Sequence, residues 1–118
     1  MHQYLEFDPL DNPMHLSKVG NWVITFLSPK DVLDHVQLAI THVLPRQMND
    51  QLQMRRVIIR NTEIETLWQI EKIECFCGQN NRELEFLPND VLVIPMIEQL
   101  LEDFAKYDVP VQLNNAKL

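Results

Sequence analysis

Glycine is scarce in this chain: Gly20 and Gly78 are the only two in 118 residues. A phosphate cradle built from backbone amides needs several closely spaced glycines, so Gly-rich nucleotide loops are excluded by count. Serine is as rare, at Ser17 and Ser28, and a Ser, His, acid arrangement is poorly supported. Two cysteines, Cys75 and Cys77, cannot make a disulfide framework. If they share a strand face, closing a bond between them demands strained geometry, so reduced thiols are expected. No apolar run approaches membrane-spanning length, and the opening MHQYLEFDPLDNPMHLSK lacks the basic start and apolar core of a signal peptide. A soluble, cytoplasmic protein is the expectation.

What is present suffices for a core. With 46% hydrophobic residues, one domain over 1–118 can bury enough apolar surface without disulfide or metal staples. Residues 1–20, with Pro9 and Pro13, read as an N-terminal arm in which Asn12-Pro13 could cap a short helical turn ending at Gly20. Charge is unevenly placed. Residues 1–61 carry six acids and six bases, residues 62–118 eleven acids and four bases, so the whole net charge of −7 belongs to the second half. Such a field repels nucleic acid and anionic membrane and speeds encounter with a basic partner, although moderate acidity also serves plain solubility.

Periodicity supplies the elements. Trp22 to Leu27 is β-branched and aromatic, a strand whose continuous apolarity implies burial on both faces. Ser28 as cap, Pro29 at the first helical position and Asp31 near the positive dipole end predict a helix from Pro29 to Val43. Val32, Val36, Ala39, Ile40 and Val43 would form its stripe, and Pro45 its stop. A second strand centres on Val57 to Ile59 and ends at Asn61. TLWQIEKIECFCG fits both periods; we read it as strand from about Trp68, with a bulge near Glu71-Lys72 where alternation slips by one.

RELEFL then alternates cleanly, and Val91 to Ile94 reads as a short extended run before a helix begun by Pro95. On that helix Met96, Ile97, Leu100, Leu101, Phe104 and Tyr107 form the apolar face. Val109 to Leu113 is a final strand, placed at a sheet edge because Pro110 has no N–H to donate. The expected fold class is α+β (or α/β): a single domain with a mixed, mostly antiparallel sheet of about five strands and two main helices packed on it.

The two cysteines belong to a hairpin. With Gln79-Asn80 at its tip, Cys77 faces Arg82, Cys75 faces Leu84 and Ile73 faces Phe86, which makes Cys75 a small buried hydrophobe. A metal site needs three or four convergent ligands, whereas Cys-x-Cys supplies two and His2, His15, His35 and His42 are scattered. Glu74, Glu83 and Glu85 surround the pair with negative charge, which raises a thiol pKa and disfavours a nucleophile. No metal and no cofactor are therefore expected.

The other hairpin face carries Lys72, Glu74, Phe76, Glu83, Glu85 and Leu87, with Glu74 across from Glu85. An aromatic set among carboxylates suits either solvent or a basic partner. Glu98, Glu102 and Asp103 lie on the polar side of the last helix, without apolar surroundings to tune them for acid–base work, and are counted with the acidic partner face. His35 and His42 fall seven residues apart on the first predicted helix as boundary histidines, and Arg55, Arg56 and Arg60 are explained by salt bridges to the acidic half.

Three classes of function remain. The leading one is a non-catalytic protein-binding protein, of inhibitor or immunity type, that masks a basic site through Glu74, Phe76, Glu83, Glu85, Glu98, Glu102 and Asp103. A second is a structural or chaperone-like assembly component, with homodimerisation through the C-terminal edge strand or the arm residues Tyr4, Leu5 and Phe7. The third is a small metal- or thiol-dependent enzyme built on Cys75 and Cys77.

Overall fold

A computed structural model describes residues 3–9, 18–27, 36–47, 52–78 and 82–115. Eight strands occur among them: β1 (Tyr4–Glu6), β2 (Lys18–Val19), β3 (Trp22–Phe26), β4 (Gln37–Gln47), β5 (Leu52–Asn61), β6 (Leu67–Cys77), β7 (Arg82–Phe86) and β8 (Gln112–Asn114). One helix, α1 (Ile94–Lys106), joins them. The strands form one curled antiparallel sheet, a half-barrel in the order β2-β3-β4-β5-β6-β1-β8, with β7 also paired to β6. The expected five-stranded sheet with two helices is therefore corrected to a mostly β fold with one helix among the described residues.

The largest correction falls on the segment predicted as a helix from Pro29 to Val43. Residues 28–35 lie outside the described residues, as does the turn expected at Asn12-Pro13. From Gln37 the chain is strand β4, hydrogen-bonded to β3 on one side and β5 on the other. Leu38, Ile40 and His42 alternate with Ala39, Thr41 and Val43 as well as the helical stripe fits, and Ile, Thr and Val favour the pleated form. Two partner strands settled the ambiguity. Pro45 stops no helix; it falls within the register slip between Thr41 and Arg46, where its missing N–H costs the ladder least.

β3 is not buried on both faces as its apolarity implied. Trp22 is 1% exposed, whereas Phe26 and Leu27 at its far end are 47% and 41% exposed. Likewise Val91 to Val93 form a turn rather than an extended run, with Val93 accepting hydrogen bonds from the amides of Met96 and Ile97. Other expectations match. The β6–β7 ladder has the hairpin register read from alternation, Ile73↔Phe86 through Cys77↔Arg82. β6 pairs Ile58 with Lys72 and Ile59 with Ile70, so Glu71 is the extra residue of a bulge at the place the slip marked.

The helix lies on the concave face and closes the core. Met96, Ile97, Leu100 and Phe104 are buried against Trp22, Ile40, Ile59, Trp68, Ile73 and Cys75, each at or below 2% exposure on the sheet side. Phe104 packs edge-to-face with both Phe7 and Trp22. Burying one such side chain contributes about 1.5–3 kcal/mol, so the helix is held by its apolar stripe rather than by caps, of which Val93 provides none through its side chain. Tyr107, expected on that stripe, is 57% exposed and instead covers Gly20. Leu5 and Phe7 of the predicted arm belong to the core, and β1 sits between β6 and β8. No helix among the described residues is long and apolar enough to cross a membrane.

Candidate functional site

Strand alternation sends Ile73 and Cys75 inward, against the helix, and Glu74 and Phe76 to the outer face of the sheet. A cross-strand row on that outer face runs Val23, Thr41, Arg56, Glu74, Glu85. Glu74 and Glu85 do stand opposite each other, yet each has its own base. The Arg56 guanidinium grips Glu74 through two bonds, Nε to Oε2 at 2.5 Å and Nη2 to Oε1 at 2.9 Å. Lys72 reaches Glu85 at 2.9 Å and Arg55 reaches Glu83 at 3.1 Å. Arg60 bonds Glu71 of the bulge at 2.7 Å, and Gln37 donates to the same carboxylate. Bulges explain the crowding of charge: an extra residue near Arg55-Arg56 and another at Glu71 add side chains to one face.

These pairings set the electrostatics. The Arg56 hydrogen bond, above all, holds the Glu74 carboxyl below its usual range despite partial burial. Glu74 in turn raises Arg56, and Glu85 raises Lys72. The hairpin face is therefore an ion-pair lattice with its charge largely compensated inside the chain. Arg55, Glu83 and Glu85 have side chains 48%, 71% and 60% exposed, where water screens each pair.

Beside this lattice lies an open groove of about 650 Å³, lined by Val23, Thr25, Thr41, His42, Val43, Gln53, Arg55 and Phe76. Phe76 pairs with Gln53 on one side and Glu83 on the other, which puts its ring between the groove and the carboxylates. Val43, 57% exposed, forms the opposite wall. The volume falls in the range of ligand-binding clefts, and the groove offers apolar contact with a few polar groups at its rim.

The remaining predicted residues do not join this face. Glu98, Glu102 and Asp103 are on α1, across the sheet from Phe76, so the seven acidic-face positions divide between two sides of the molecule. Asp103 ties the helix to the sheet, since its Oδ2 accepts the Trp22 indole N–H at 3.0 Å and its Oδ1 the Gln99 amide at 3.1 Å. Composition offered no sign of this long-range bond. His42, 9% exposed, stacks edge-on against Trp22 and bonds the Leu44 carbonyl through Nδ1. With Asn21, Gln99, Asp103, Lys106 and Tyr107 these two rings line a polar recess of about 240 Å³. His35, its expected companion, lies outside the described residues, as do His2 and His15.

Cys75 is 1% exposed, and burial pushes its thiol up to about 11, which suits a core side chain and not a nucleophile. Among the described residues no three His, Cys, Asp or Glu side chains converge to hold a metal ion. No family model, curated protein or solved structure matches this chain. The reading of function therefore rests on the outer face itself.

Proposed function

We propose that the chain is a non-catalytic, cytoplasmic protein-binding domain that takes a basic partner protein on the outer face of its sheet, as an inhibitor or immunity-type protein does. The observation that carries this reading is the groove beside Phe76, where the exposed Val43 and the partly buried Val23 and Phe76 lie next to carboxylates already oriented by Arg55 and Lys72. An aromatic anchor with a charged rim is the usual anatomy of a binding surface. Net charge of −7 contributes long-range attraction to the partner, while the paired rim charges contribute orientation at contact.

The Phe76→Asp variant tests the site. Partner captured from native cell extract by the full chain at low salt is expected to be basic, to be lost at high salt, and to be lost with Phe76→Asp while the variant stays folded. Binding that is indifferent to both salt and Phe76 would overturn the reading.

A further inference from the structure

We propose that the outer edge of β7 accepts an extended segment of the partner, with lysine or arginine at alternate positions, as an added strand of the sheet. This deepens the protein-binding reading above and rests on it. One edge of β6 is occupied along most of its length by β5. Its other edge is shared, by β1 over Leu67 to Gln69 and by β7 over Ile73 to Cys77. β1 is followed by β8, whereas among the described residues no strand follows β7. Among the described residues the sheet is thus one strand narrower beside β7 than beside β1.

An edge strand presents outward-facing N–H and C=O groups that template pairing, and proteins blunt such edges with proline, bulges or lysine. β7 has none of these: its sequence is Arg82, Glu83, Leu84, Glu85, Phe86, in unbroken register with β6. Its protection is two glutamates, and they discriminate between occupants. A second copy paired antiparallel about Leu84 sets Glu83 opposite Glu85 twice, and a shift by two residues sets Glu83 or Glu85 opposite itself. A shift by one turns the faces of the two sheets over. Every face-matched antiparallel self-pairing within β7 therefore opposes like charges.

A basic strand meets the reverse situation. The Glu83 and Glu85 side chains are 71% and 60% exposed, and each carboxylate, with one base already on it, has lone pairs for another. On the inner side Leu84 and Phe86 are only partly buried and offer apolar contact to the residues between the bases. The chemistry recognised is an extended segment in which Lys or Arg alternates with an apolar residue. Main-chain bonds would supply affinity and the two glutamates the choice of partner.

The probe is a blocked hexapeptide of alternating lysine and valine, titrated into the isotope-labelled full chain and followed through its backbone amides. Supporting results are slowed hydrogen exchange and shifted signals across residues 82–86, and affinity lowered at least tenfold when alternate peptide nitrogens are methylated. Glu83→Lys and Glu85→Lys should each lower it further, and a glutamate–valine peptide should not bind. Binding that survives N-methylation, with shifts confined to Val23, Val43 and Phe76, would overturn the strand proposal and leave the groove reading standing. The Phe76→Ala variant separates the failures from the other direction: edge binding retained while the natural partner is lost supports both. No shift on β7 at millimolar peptide, or a mass that rises with concentration through β7, would also overturn the proposal.

Discussion

The Arg56–Glu74 pair is where the outer face can be tested most sharply. Its two hydrogen bonds are charge-assisted and bidentate, a geometry worth roughly twice a neutral bond. The Glu74 side chain is 18% exposed and that of Arg56 35%, so solvent screens the pair in part and the cost typical of a fully buried pair does not apply. We expect a coupling of about 1–2 kcal/mol from a cycle of Arg56→Met, Glu74→Gln and the double variant in urea unfolding at neutral pH. Glu74→Gln alone should lower Tm by about 3–8 °C. The sign of the pH dependence follows from the direction of the shift. Folding lowers the Glu74 pKa from 4.5, so the stabilisation is fully present above that unfolded value and is lost as pH falls through the folded one. The difference between wild type and Glu74→Gln should accordingly shrink in acid. A coupling below about 0.3 kcal/mol, or one equal at neutral and acid pH, would refute the assignment of this pair as the organiser of the face.

Three further outcomes are expected. Gly20→Ala should be destabilising by more than about 1 kcal/mol, because the backbone has φ +60° and the new methyl would stand 2.5 Å from Tyr107 Cε2; adding Tyr107→Ala should recover only the steric part in thermal melts. Asp103→Leu strands the buried Trp22 indole N–H at a cost of about 1–3 kcal/mol, whereas Asp103→Asn keeps an acceptor and should cost less by urea unfolding. Alkylation of the native chain at pH 8 should label the half-exposed Cys77 first and leave Cys75, whose thiol is raised to about 11, until unfolding; peptide mapping that finds Cys75 modified first would refute its burial.

The hairpin and the last helix were legible because their signals are local and unambiguous. Alternation from Ile73 to Phe86 admits one register that keeps Cys75 and Leu84 on the apolar side, and the Glu71 bulge is visible as a break in that alternation. Pro95 and the spacing of Met96, Ile97, Leu100 and Phe104 allow only a helix. β4 was misread for the opposite reason: Val36, Ala39, Ile40 and Val43 satisfy a helical period while Leu38, Ile40 and His42 satisfy a strand period. Periodicity alone cannot separate them when β3 and β5 stand ready on both flanks. The short pieces β1 and β2 carry too few residues for any period, and exist because the sheet has edges to pair them; the final strand expected at Val109 to Leu113 is the shorter β8, Gln112–Asn114, at the end of the strand order.

Sequence by itself determined the alternating faces of β6 and β7, the amphipathic helix, the burial of Cys75 and the excess of acid in the second half, since each follows from neighbours a few positions apart. Tertiary structure alone decided that Arg56 meets Glu74 across 18 positions, that Trp22 meets Asp103 across 81, and that the helix acids and the hairpin acids lie on opposite sides of the sheet. Contacts at that separation leave no periodic trace in a chain; they arise when a curled sheet brings distant residues to the same row.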